Sequence, residues 1–252
     1  MRSRKLALAA AAVFATLALL GAAGSASAAF PDFSGCTAPT VGTACIDIQN
    51  RTGNLNIKGF NVPLGESLEI RGTLRENETE TPEFIPPAGT NGFFARAVPV
   101  PGGLLGIEWI PGNTVLAITE LAGSASAIRI NVATGSITMP IKVRLENLLL
   151  GMECHIGTNS HPVVLNLITG TTSPPPPNRP ISGSRARPTI VGSDIEFLGN
   201  VNVENSFAVP GATECGLGLG LINTLVNLRL QLPSAAGNNS VEVHNDVALG
   251  LP

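Results

Sequence analysis

The chain has 252 residues, 44% hydrophobic and only 13% charged, which is enough apolar length to bury a core and not a composition of disorder. Its 15 Lys and Arg stand against 18 Asp and Glu with no basic run, so no nucleic-acid partner is expected and anionic membrane surfaces are disfavoured. Tyrosine is absent and Trp109 is the one tryptophan, which argues against a sugar-binding face built from flat rings.

The first element in chain order is a secretory signal. Arg2, Arg4 and Lys5 precede an apolar run from Leu6 to Leu20, and small residues follow to Ala29. Ala26-Ser27-Ala28 fits the pattern cut by signal peptidase, and the apolar run is too short to span a bilayer. Residues 1–28 therefore read as a signal peptide, and no transmembrane span is expected after its removal. What remains, 29–252, is 224 residues with 12 Lys and Arg against 18 Asp and Glu, a formal charge of −6. That length suits one large β domain or two small ones.

Four cysteines in an exported chain predict disulfides. Three pairings are possible. Pro39 and Gly42 can turn the chain back between Cys36 and Cys45, which favours that bridge and leaves Cys154–Cys215 by exclusion. Thiolate metal binding is disfavoured because there is no C-x-x-C spacing.

Cys45 to Gln49 alternates apolar with polar residues, as do Leu55 to Lys58 and Leu68 to Arg71. This is the period of half-buried strands. Thr52-Gly53-Asn54 and Pro63-Leu64-Gly65 read as turns between them, and Arg75 to Gly92 as a long exposed loop. Strands are expected again over Leu104 to Ile110, Thr114 to Thr119, Ala127 to Val132 and Ser136 to Leu150, with Pro140 marking an edge or a bulge. Further strands are expected over Met152 to Ile156, Val163 to Ile168, Thr189 to Phe197, Val201 to Val209 and Ser240 to His244. Turns at roughly ten-residue spacing predict an all-β, mostly antiparallel fold, a β-sandwich or a barrel. Within Leu217 to Leu230, the residues Leu221, Ile222, Leu225, Val226 and Arg229 fall at helical offsets. They predict one short helix near 217–229, stopped by Pro233, although Leu228, Leu230 and Leu232 also fit a strand.

Residues 171–188, with Pro174 to Pro177 in a row, form the candidate domain boundary. A Cys154–Cys215 bridge would enclose the segment in a covalent loop. That favours a rigid crossover within a single domain, 29–252, over a linker.

Cys154-His155-Ile156-Gly157, Pro162 to Leu167 and Thr169 to Ser173 with the following prolines carry a resemblance, joined by Glu214-Cys215-Gly216 and Pro233 to Asn239. In these stretches the chain resembles a group of secreted β-rich proteins of actinobacteria. The resemblance implies an extracellular or cell-surface protein and brings over no catalytic residue.

Candidate chemistry is sparse. There is no G-x-S-x-G, and Gly192-Ser193-Asp194 reads as a turn at the start of a strand. The three histidines, His155, His161 and His244, have no partner that sequence can name. His155 and His161, with Glu153 as a third ligand, make a weak zinc pattern, and the carboxylates Glu76, Glu78, Glu80 and Glu83 read as a solvated acidic loop. Gly216 to Gly220 has the wrong spacing for a dinucleotide loop. No cofactor and no metal are expected, and catalytic residues are not identified.

The expected function is that of a secreted or envelope-associated β domain without catalysis, acting structurally, adhesively or on an extracellular or cell-wall partner. The competing expectation is a secreted hydrolase whose Ser, His and Asp meet only in the fold. No C-terminal apolar tail follows Asn245, so covalent anchoring is not expected.

Overall fold

The computed structural model describes residues 30–252 apart from 79, 80, 108 and 217–219. The expected signal peptide, residues 1–28, lies outside the described residues. In chain order the strands are β1 (Thr43–Ile57), β2 (Phe60–Pro63), β3 (Leu68–Arg75), β4 (Glu83–Ile85), β5 (Phe93–Ala95), β6 (Val98–Pro99), β7 (Leu116–Leu121) and β8 (Arg129–Asn131). They continue as β9 (Ser136–Glu146), β10 (His155–Ile156), β11 (Val163–Leu167), β12 (Pro188–Val191), β13 (Asp194–Glu204), β14 (Ala212–Thr213) and β15 (Asn239–Gly250). The helix α1 (Leu221–Leu230) precedes β15.

The strands form two antiparallel sheets. The larger runs β12-β13-β15-β1-β3-β4, with β2 also on β1 and β5 also on β3. The smaller runs β14-β10-β9-β7-β6, with β11 and β8 also on β9. Neither sheet closes on itself, so the fold is an all-β sandwich and not a barrel. Alternation explains which face each strand buries. In β1, Ile46 and Ile48 enter the core while Cys45, Asp47 and Gln49 take the other face. In β9, Ile137, Met139, Ile141 and Leu145 enter it from the smaller sheet, while Lys142, Arg144 and Glu146 face away in a network of ion pairs.

Two disulfides, Cys36–Cys45 and Cys154–Cys215, cross-link the chain. The first ties residues 30–40 as a strap across the outer face of the larger sheet, where the Asp32 N–H donates to Asp47 and Phe33 packs against Gly250. The second joins Cys154, just before β10, to Cys215, just after β14, and both cysteines are fully buried.

Several expected elements change. Thr52-Gly53-Asn54 is no turn but part of β1, after a register shift between Asn50 and Thr52 against β15. Glycine is required there because a Cβ on Gly53 would lie 2.6 Å from the Glu242 carbonyl oxygen. The expected loop at 75–92 contains β4, whose Phe84 is buried. No strand forms among the described residues of 104–110. Instead, Asn113 donates its side-chain amide to the carbonyls of Gly102 and Ile107 and accepts from Leu105, holding 102–113 as a compact loop. The strand expected over 189–197 is a hairpin of β12 and β13 turning at Gly192, and Pro140 lies in a central strand. The Pro140 carbonyl accepts from Ala122, so its missing N–H falls opposite the break between β7 and β8 and interrupts no ladder.

The helix is present from Leu221, residues 217–219 of the expected span lying outside the described residues. It ends at Gln231, in the left-handed region with φ 55°, and the competing strand does not form. The proline-rich segment is stitched to its surroundings. Thr172 and Ile181 bond through their backbones, Ser184 pairs with Val201 of β13, and the Asn178 amide reaches the carbonyls of Asn205 and Asn239.

Candidate functional site

The histidines fall in three separate places. His161 is exposed on a turn, with Nδ1 3.1 Å from the hydroxyl of its neighbour Ser160. His244 sits in β15 with Nε2 2.9 Å from Glu242, and both side chains are about half exposed. His155 is half-buried in β10, and its Nδ1 lies 2.7 Å from the Glu153 carbonyl. A carbonyl only accepts, so Nδ1 is the donor of that bond, and Nε2 lies 3.6 Å from a Glu120 carboxylate oxygen. Ser193 bonds only to the adjacent Asp194, on an exposed turn.

The sequence pattern set His155 with His161 and took Glu153 as a third ligand; in the structure His155 and Glu153 meet Glu214, and His161 is not part of the group. One ligand atom from each of Glu153, His155 and Glu214 lies within 4.8 Å of the others. The Cys154–Cys215 bridge explains the convergence. Both sulfurs point inward, and the residues flanking them in sequence are therefore turned outward to one spot. This donor set could hold a divalent cation. Beside it, burial pushes the Glu120 carboxyl up, but the Arg144 and Lys142 bonds outweigh that and hold it below the usual range. Of the four acidic-loop carboxylates, Glu83 pairs with Arg75 and Glu80 lies outside the described residues.

A buried polar cluster that sequence reasoning missed lies under the strap. Asp47 is fully buried, and its Oδ2 accepts from the Asp32 N–H at 2.7 Å and from the Gln49 amide at 2.9 Å. Burial, and then the charge of Glu69, push its pKa to about 7. Arg71 pairs with Asp32, lies 3.4 Å from Glu69, and stacks on the Phe94 ring at 4.4 Å. The alternation in β1 foretold a polar face, but not that a strap would cover it.

Toward the far end of β1 the chemistry becomes apolar. The 101–113 loop, the 147–152 turn and α1 are tied together there. Asn147 donates to the carbonyls of Gly112 and Thr114, Gly216 to Leu150, and Arg229 to Pro101. From these three segments Trp109 (83% exposed), Leu148 (95%), Met152 (81%), Leu221 (82%) and Leu228 (77%) project into solvent. Buried Leu104, Leu150, Val226 and Leu230 hold the segments down from beneath. Inside, the sheets do not meet completely, and an apolar cavity of about 100 Å³ separates them.

Compared with known proteins, the chain matches no family model, no curated protein and no solved structure.

Proposed function

We propose that this chain is an exported, non-catalytic β-sandwich that adheres to an apolar surface of the cell envelope or of an extracellular partner. The observation that carries the reading is that large apolar side chains, Trp109, Leu148 and Met152 among them, stand exposed on segments that hydrogen bonds hold together. Scattered single leucines are ordinary on a protein surface, whereas a cluster from three adjoining segments marks an interaction site. The two disulfides and the resemblance to secreted actinobacterial proteins support export.

Fractionation of expressing cells into medium, wall and membrane tests the reading. The parent is expected in the wall or membrane fraction, and the variant Trp109→Ser/Leu148→Ser/Met152→Ser in the medium. Equal release of both would overturn the adhesive role. Turnover in an ester, peptide and glycoside screen that is lost in His155→Ala, His161→Ala or His244→Ala would replace it with the hydrolase.

A further inference from the structure

We propose that the space between the two sheets is a binding site for an unbranched fatty acid, with its alkyl chain in the cavity and its carboxylate on Arg229. This does not depend on the adhesive surface, because a chain held inside the sandwich needs no contact with the envelope.

The cavity is aliphatic on both walls, with Leu55 and Val241 from the larger sheet facing Met139, Ile141, Val143 and Leu165 from the smaller. Thr119 brings the only hydroxyl of the lining, and no charged side chain enters it. A void of about 100 Å³ with so few polar partners does not hold stable water, and an apolar cavity of roughly 150 Å³ is known to stay dry and take up benzene. Elsewhere the same core closes tightly. Among Ile46, Ile130 and Phe197 the residual space is about 20 Å³. An empty void forfeits dispersion contacts along its whole wall, so its persistence at one end of a well-packed core points to an occupant. Flexible aliphatic walls suit an alkyl chain better than a flat ring.

The cavity reaches the surface where its lining is only half-buried, at Phe60, Leu64, Leu68, Val98 and Ala117. There β2 pairs with β1 and β6 with β7, so no ladder bridges the two edge strands among the described residues. Arg229 does not itself line the cavity but packs on Phe60, which does. Its guanidinium lies 4.8 Å over the ring of Phe60, and Nη2 donates to the Pro101 carbonyl at 3.1 Å. Its Nε is buried with no hydrogen-bond partner, and no carboxylate among the described residues forms an ion pair with it. A cation without a carboxylate partner, packed on a residue that lines an apolar void, is complementary to a carboxylate at the end of a chain.

The test is calorimetric titration of the mature protein with propanoate, butanoate, pentanoate and hexanoate, and with methyl hexanoate, the chain lengths that a void of about 100 Å³ can begin to fill. Affinity is expected to rise about fourfold per added methylene until the cavity is full. The acid should bind about tenfold tighter than the methyl ester. Arg229→Gln should bring acid and ester to equal affinity. The cavity-filling variants Ala117→Leu and Val143→Phe, used where they keep the parent melting temperature, should abolish binding of both. No saturable binding of any acid in the series overturns the site, as does undiminished binding in a folded cavity-filling variant. Acid and ester binding alike in the parent would remove Arg229 from the proposal.

Discussion

Arg71 and Arg229 each lie over a phenylalanine ring, yet they sit in opposite surroundings. Under the strap, the Arg71 charge is consumed by Asp32 and Glu69, next to a carboxyl that burial has driven up to about 7. At the apolar end, Arg229 meets a ring and a single backbone carbonyl. In the first, carboxylates match the charge, although the Nε of Arg71, like that of Arg229, is buried without a hydrogen-bond partner. The second leaves cationic capacity unspent on a residue that lines an apolar void, and this is the pattern of a site that receives something.

Each region has its own staple, and removing them gives the largest expected effects. Cys154→Ala/Cys215→Ala opens the longer loop and should cost about 4 kcal/mol on the loop-entropy relation, against about 3 kcal/mol for Cys36→Ala/Cys45→Ala. Denaturant midpoints of the two double variants would check the order, and a reversed ranking would show that the strap matters more than the covalent loop length. Next in size, Arg71→Ala leaves Asp32 and Glu69 without their cation and should destabilise by about 3 kcal/mol. Arg229→Ala, losing a ring contact and one carbonyl bond, should cost only about 1 kcal/mol. Similar losses at both positions in urea unfolding would erase the distinction drawn between them.

The polar region should also answer to pH where the apolar one does not. Asp47 is pushed up to about 7 in the fold against 3.8 for a solvated carboxyl, so between those values the folded chain keeps a proton that the unfolded chain has released. Stability contributed there is complete below about pH 4 and is lost as pH rises through 7, by at most about 1.4 kcal/mol per unit. Glu69, raised by its own burial, acts in the same direction. Asp47→Asn should flatten the fall in melting temperature between pH 5 and pH 8, and an unchanged slope would place the titration elsewhere. The smallest effect is expected from Leu148→Ser and Leu228→Ser. Both side chains are exposed, so melting should shift by no more than about 0.5 kcal/mol while envelope retention falls.

What the sequence disclosed was local. Two-residue alternation marked β1, β3, β9 and β11, and helical offsets marked α1. Where local rules were overridden, a distant group did it. Gly53 looks like a turn residue, but the backbone of Glu242 passes against it. The apolar stretch 104–110 looks like a strand, but Asn113 satisfies its backbone first. β4 is three residues set between Pro82 and Pro86, too short to show a period. The sites follow the same rule. Glu153 and His155 were visible as neighbours, and Glu214 became their companion only through its position beside Cys215, a clue latent in the bridge. Arg229 read as one more residue on a helix face. Its meaning depends on Phe60 and Pro101, which are far from it in the chain.

β1 and β15 have a consequence for time as well as for shape. The strand that begins the sandwich, Thr43–Ile57, pairs over most of its length with Asn239–Gly250, close to the other end of the sequence. A chain emerging N-terminus first from a ribosome therefore carries β1 with one edge unfilled until Asn239–Gly250 has followed it. Contacts this distant in sequence slow folding. Until β15 arrives, the central pairing of the larger sheet cannot form, so its assembly waits on a strand made long after β1.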